Sequence, residues 1–194
     1  MIIRKLTILM KNFPASILNR ADMFIHGFKF GFSFKTVGRI FIRGTGRILL
    51  GNNVVINSCM EANPIGGATK TILYAKGNGS INIGNNVGIS NTAIVALGRI
   101  TIEDDVLIGG NCKIYDHDFH SLAYEIRMLP GMEGVIPKPV HIKRGAFVGA
   151  HSIILKGVTI GQYSIIGAGS VVTKDVPDGE IWAGNPARFI RKIE

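Results

Sequence analysis

In the C-terminal half of the chain, aliphatic residues occupy every sixth position without a slip, at Ile142, Val148, Ile154, Ile160, Ile166 and Val172. A period of six matches neither the period of about 3.6 of an amphipathic helix nor the alternation of a half-buried strand. It fits a short strand followed by a turn, repeated. Four residues after each of the first five stands a small or β-branched residue, Ala146, Ser152, Val158, Ser164 and Ser170, so each unit sends two side chains inward. The same frame recurs at Ile83, Ile89 and Val95 with Val87, and at Ile102, Ile108 and Ile114 with Val106 and Cys112; Leu50, Val54 and Ile56 give a weaker copy. The frame shifts between these blocks, as turns or insertions in a coil would produce. Gly84, Gly109, Gly149, Gly161 and Gly167 directly follow an aliphatic residue, where glycine permits backbone shapes that other residues resist. Units of this kind bury a continuous apolar column only when stacked.

The pattern resembles the left-handed parallel β-helix of hexapeptide-repeat transferases. The resemblance implies an all-β solenoid over residues 36–176, with three units to each triangular coil. It also supplies the hand, which the period does not, because strand crossovers are otherwise almost always right-handed. A short helical segment in 1–35 is expected to cap the open end of the coil, since an uncapped solenoid exposes apolar side chains. The tail, 177–194, is expected to fold back as a helix beginning near Asn185 and Pro186, with Trp182 packed where the coil ends.

At 194 residues the chain fits one domain with short appendages. Lys and Arg number 22 against 13 acidic residues, a net charge of +9, which draws phosphate- or carboxylate-bearing ligands. The basic residues are scattered, and no zinc-finger, helix-turn-helix or aromatic RNA-binding signature accompanies them, which argues against nucleic acid. Cys59 and Cys112 form no CxxC, so a reducing, cytoplasmic compartment is expected rather than a disulfide framework. Cys112 falls on a small inward slot and reads as core filler. Arg4, Lys5 and Lys11 interrupt the apolar runs at the N-terminus, and no stretch reaches the roughly 18 apolar residues of a membrane span. Phe24, Phe28, Phe30, Phe32 and Phe34 beside Lys29 and Lys35 would also suit a membrane surface, although capping or oligomer contact is the favoured use.

From Tyr115 to Pro139 the period stops, and it resumes at His141 and Ile142. A long departure from a rigid solenoid is where function is usually carried; the excursion is assigned to 115–141. It contains Asp116, His117, Asp118 and His120 within DHDFH. A neutral imidazole can take a proton from a hydroxyl and an Asp can hold its ring. From the residues alone a divalent metal site or a solvated loop stays open beside that reading.

The runs IYDHDFHSLAYEIR, KPVHIKRGAFVGAHSIILKGVTIGQYSIIGAGSVVTKDVP and AGNPARFIRKI resemble the O-acetyltransferase branch that includes maltose, galactoside and capsular-polysaccharide acetyltransferases. In that branch a His ahead of a segment ending in Glu, an aliphatic and Arg is the catalytic base. The resemblance places that role on His120, seven residues before Arg127, and leaves His117 the weaker candidate. Ser121 follows where Pro is usual in the sugar enzymes, which bears on the acceptor more than on the mechanism. Asp116 or Asp118 is expected to orient His120 or bind acceptor, and Asn91 falls near the family's acceptor-binding Asn. Acetyl-CoA is implied as co-substrate, with its pantetheine arm along Ala150 and Ala168, Phe147 bordering it, and Thr173, Lys174, Arg188 and Arg191 at its phosphates. A homotrimer with sites between neighbouring coils is implied, and no metal.

The expected activity is therefore O-acetyl transfer from acetyl-CoA to a hydroxyl of a sugar or surface-polysaccharide precursor. Because the fold alone does not decide function, the alternatives are an N-acyltransferase on an amino sugar, a serine acetyltransferase, a zinc carbonic anhydrase-like enzyme or a non-catalytic scaffold. The basic charge and apolar N-terminus lean towards an anionic or membrane-attached glycan.

Overall fold

The computed structural model describes residues 15–31 and 33–194. Phe32 and the first 14 residues of the expected capping segment lie outside the described residues. The strands form three sheets that the chain visits in rotation. The first holds Lys29–Phe30, Arg47–Leu50, Ser80–Ile83, Arg99–Ile102, Val140–Ile142 and Thr159–Ile160. The second holds Lys35–Val37, Val55–Asn57, Gly88–Ser90, Leu107–Ile108, Phe147–Val148 and Ile165–Ile166. The third holds Phe41–Arg43, Ile72–Ala75, Ala93–Ala96, Lys113–Tyr115, Ile153–Ile154 and Val171–Val172. Every pairing among these strands is parallel, so each circuit adds one triangular coil of a left-handed β-helix.

The sixth-position aliphatics become three stacks, one behind each sheet. Ile102, Ile142 and Ile160 align in the first, Ile108, Val148 and Ile166 in the second, Ile114, Ile154 and Val172 in the third. All nine are buried, and each such side chain contributes about 1.5–3 kcal/mol. The second inward slot lies at the corners, where Ser152, Ser164 and Ser170 are fully enclosed. Their hydroxyls donate to the Gly167, Pro177 and Gly167 carbonyls at 3.1, 2.6 and 2.6 Å, which removes the penalty for burying them. Cys112 fills the equivalent slot fully buried, and burial pushes its thiol pKa up.

The glycines after the aliphatic positions differ from expectation. None has a positive φ; those backbones belong to corner residues further on, such as Asn53, Asn86, Asp105 and Gly145. Gly109 and Gly149 are required instead by stacking: a Cβ on either would lie 2.5 Å from the backbone nitrogen of Ala150 or Ala168 in the next coil. At the left-handed corner, Asn53 Nδ2 donates to Asn86 Oδ1 at 3.1 Å and Asn86 Nδ2 to Asp105 Oδ1 at 2.9 Å, a polar ladder along the edge.

Helical residues 15–25 close the N-terminal end of the coil. Met23 is fully buried, and the buried Asn19 amide is saturated: Nδ2 donates to Thr36 Oγ1 and the Gly38 carbonyl, and Oδ1 accepts from Ile40 N–H. Phe28 and Phe34 turn into the core and Phe30 packs against it, so these rings serve the cap rather than an interface. Phe24 stays 82% exposed. Among the described residues no helix is long and apolar enough to cross a membrane.

The tail is a correction to the expected C-terminal helix. Glu180–Gly184 joins the second sheet beside Ile165–Ile166 and pairs antiparallel with Ala187–Lys192, the chain reversing at Asn185 and Pro186. The physical reason is the open edge left by the last coil. Its N–H and C=O groups need backbone partners, which a strand supplies and a helix would not; Gly167 N–H, for example, donates to the Trp182 carbonyl at 2.8 Å. Trp182 packs against the core as expected.

Two segments leave the coil. One, 116–139, departs after Lys113–Tyr115 and returns at Val140–Ile142; the other, 58–71, follows Val55–Asn57 and holds a short 3-10 turn at Pro64–Gly66. The second was not foreseen from the period, because it falls where the repeat is weakest.

Candidate active site

The 116–139 excursion lies along the edge between the third and first sheets. Lys76 Nζ reaches Met132 Sδ at 2.9 Å on its N-terminal side, and Lys156 pairs with Asp118 on its C-terminal side. Its root is clasped by Asp116, which is completely buried. The Asp116 carboxylate accepts Leu97 N–H at 2.9 Å, Gly98 N–H at 2.8 Å and His117 Nδ1–H at 2.8 Å. The Asp116 carbonyl accepts Lys138 N–H at 2.7 Å, tying the departing limb to the returning one. Pro137 sits over Gly98, where an added Cβ would meet the proline ring at 3.0 Å.

His117 is 3% exposed, tied to Asp116 and packed 4.8 Å from the Phe119 ring centroid. His120, by contrast, is exposed and makes no hydrogen bond, ion pair or ring contact among the described residues. The expectation that Asp116 or Asp118 orients His120 is corrected: Asp116 is spent on Leu97, Gly98 and His117, and Asp118 on Lys156. Burial also removes Asp116 from acceptor contact. What steadies the His120 segment is Arg127, on the single helical turn Tyr124–Arg127, whose Nη1 donates to the Ser121 and Leu122 carbonyls at 3.2 and 3.3 Å. Lys156 had no signal in the sequence, because its partner lies 38 residues away.

The residues expected to hold a cofactor lie on another edge. Ala150 and Ala168 stack at the corner between the second and third sheets, where Gly169 N–H donates to the Ala150 carbonyl at 2.8 Å. Phe147 projects from the second sheet, 42% exposed. Thr173 and Lys174 are exposed past the last third-sheet strand, and Arg188 and Arg191 are exposed on the terminal hairpin, donating only to the neighbouring Ala187 and Lys192 carbonyls. Asn91 is 1% exposed beneath Gly66 of the 58–71 segment; its Nδ2 donates to the Thr69 carbonyl at 2.5 Å while Oδ1 has no partner. Within one chain, then, the third sheet separates the edge bearing the excursion from the edge bearing Ala150, Ala168 and Asn91. Among the described residues no group of three or more His, Cys, Asp and Glu side chains gathers as a metal site would.

The family model of the bacterial transferase hexapeptide (six repeats) matches residues 139–174, and that of the hexapeptide repeat of succinyl-transferase matches 99–114. Among solved structures, a variant of an N-acyltransferase from Bacillus cereus, in complex with dTDP-4-amino-4,6-dideoxyglucose and coenzyme A, is 28% identical. The match covers 90% of this chain and 89% of that one, with a TM-score of 0.71. A hexapeptide-repeat acetyltransferase from Vibrio cholerae complexed with acetyl coenzyme A is 27% identical over 91% and 79% of the two chains, TM-score 0.56. A maltose O-acetyltransferase from Clostridium difficile is 26% identical over 90% and 75%, TM-score 0.58. No curated protein matches the chain. Repeat, coil and comparisons point the same way: hexapeptide-repeat family models match parts of the coil, and the chain's structural neighbours include hexapeptide-repeat acetyltransferases. Its neighbours include both O- and N-acyltransferases, and acyl transfer is the activity they share.

Proposed function

We propose that this protein transfers an acetyl group from acetyl-CoA to a hydroxyl of a sugar, free or within a surface-polysaccharide precursor. The observation that carries the reading is His120, an exposed imidazole without a partner, presented by the long excursion of a hexapeptide coil. A neutral ring of this kind can accept the acceptor's proton as its oxygen attacks the thioester carbonyl. The tetrahedral oxyanion then collapses, the C–S bond breaks, and the imidazolium returns the proton to the leaving CoA thiolate. The Ala150 N–H is suited to the oxyanion, the Gly149 N–H being held by the Ile166 carbonyl at 2.8 Å. In this reading the pantetheine arm runs along Ala150 and Ala168 beside Phe147, and Thr173, Lys174, Arg188 and Arg191 meet the phosphates.

Because His120 and Ala150 sit on different edges of one coil, the reading requires a second subunit, and a homotrimer gives three equivalent sites. Exposed Val55, Leu107 and Phe147, in register across the second sheet, supply an apolar stripe for that contact. Ile17, Leu18, Phe24 and Ile25, exposed on the N-terminal helix, suit contact with another subunit ahead of a membrane surface. The setting we propose is cytoplasmic.

An amino-sugar acceptor is the second reading, favoured by the TM-score of 0.71 with an N-acyltransferase. Thiol release from acetyl-CoA, measured with matched sugars bearing a hydroxyl or an amine at the same carbon, separates the two. O-transfer requires the hydroxyl sugar to be turned over at least as fast. Turnover with the amine alone would replace this reading by N-transfer. Arg127→Ala is expected to lower kcat by no more than about tenfold, the worth of roughly one charge-assisted hydrogen bond, with the KM for acetyl-CoA unchanged. A loss of a hundredfold or more would mean that Arg127 touches substrate rather than bracing the loop.

A further inference from the structure

Among the described arginines, Arg20, Arg39, Arg127, Arg144, Arg188 and Arg191 hydrogen-bond within the chain, and Arg43 lies over the Phe41 ring. Of the described arginines, only Arg47 and Arg99 have side chains with neither a hydrogen bond, an ion pair nor a ring contact, and both line the same groove, of about 630 Å³. The coil explains how they meet. Each opens a strand of the first sheet in register with Ser80, which lies between them. Two strand spacings put their backbones about 10 Å apart, so two long side chains can close on one small anion from opposite sides. Both are exposed.

The walls are completed by Asn78, Ser80, Asn82 and Thr101 and by the apolar Leu49, with no acidic residue among them. The rim is formed by Pro137 and Pro139 on the returning limb of the excursion and by Gly98, which Asp116 fastens to the departing limb. The groove therefore abuts the segment that carries His120. Its volume is that of an ordinary ligand site, and unpaired guanidinium forks backed by hydroxyl and amide donors select phosphate.

We propose that this groove binds the diphosphate of the acceptor, which is therefore a sugar carried on a diphosphate ester. The inference rests on the transfer to a sugar proposed above, and it adds that the acceptor arrives activated or anchored through two phosphates. The donor's phosphates are held elsewhere.

The test is calorimetric titration of the full chain, wild type and R47Q/R99Q, with inorganic pyrophosphate, UDP-glucose and coenzyme A. The expected result is that pyrophosphate and UDP-glucose bind the wild type and lose at least tenfold in affinity for each arginine removed, while coenzyme A affinity stays within twofold. Undiminished pyrophosphate binding in the double variant, or no binding to the wild type, would overturn the proposal. So would a parallel loss of coenzyme A affinity, which would assign the groove to the donor. Thiol release from acetyl-CoA with UDP-glucose, and with a prenyl-diphosphate sugar in micelles, distinguishes a nucleotide carrier from a lipid one, the arginine-dependent rate identifying the source. H120A keeps pyrophosphate binding in either case, so full transfer activity in H120A would sink the catalytic reading and leave the groove standing on its own binding data.

Discussion

His120→Ala leaves the melting temperature and oligomeric state as they are and lowers acyl transfer by at least two orders of magnitude, the lower bound usual for loss of a general base. Neither half of that result is trivial. The ring is exposed and unpartnered, so its removal creates no cavity and strands no buried group, and a stability change beyond about 0.5 kcal/mol is not expected. His117, three residues earlier, is the built-in control. It is buried against Asp116 and Phe119, so His117→Ala lowers stability as well as rate. The opposite pattern, with His120→Ala nearly fully active and His117→Ala inactive yet stable, would move the base to His117 and require the excursion to open. Thiol release at saturating acetyl-CoA, with thermal unfolding of each variant, reads both quantities.

The six-residue period made the coil legible because it is written by the core itself: an aliphatic that slips by one position faces solvent, so the inward stacks at Ile114, Ile154 and Val172 leave their spacing in the sequence. The tail left no comparable trace. Whether residues 180–192 become helix or hairpin is decided by the unpaired edge at Ile165–Ile166, which no local pattern in EIWAGNPARFIRKI announces. The glycine positions were visible but their cause was not, since a clash with the next coil is a contact between residues about 20 or 40 apart in sequence. The site divides in the same way. DHDFH marks where the chemistry gathers, yet its carboxylates could be assigned only after folding, because Asp116 meets Leu97 and Gly98 across one coil and Asp118 meets Lys156 across another. Arg47 and Arg99 are ordinary surface arginines in sequence, and become a pair only through their shared register with Ser80.

Asp116→Ala costs about 3–5 kcal/mol, the range for breaking a buried charged interaction by deleting one partner, and that is a large fraction of a stability of about 5–15 kcal/mol. The loss does not come mainly from the attraction removed. Leu97 N–H, Gly98 N–H and His117 Nδ1–H would remain at the root of the excursion with no acceptor, and each unsatisfied buried donor costs about 1–3 kcal/mol. Asp116→Asn should recover part of this, because one amide oxygen still accepts, but its NH₂ must then face a donor that the carboxylate used to bind. The order wild type, Asn, Ala is therefore expected both in denaturant midpoint and in resistance of 116–139 to limited proteolysis. The coil is expected to persist in far-UV circular dichroism, since its stacked aliphatics do not depend on this carboxylate. Activity should fall with proteolytic opening of the loop rather than with global unfolding, because it is the loop that Asp116 fastens. An alanine variant within 1 kcal/mol of wild type, with the excursion still resistant to protease, would show that the loop is held in place without Asp116.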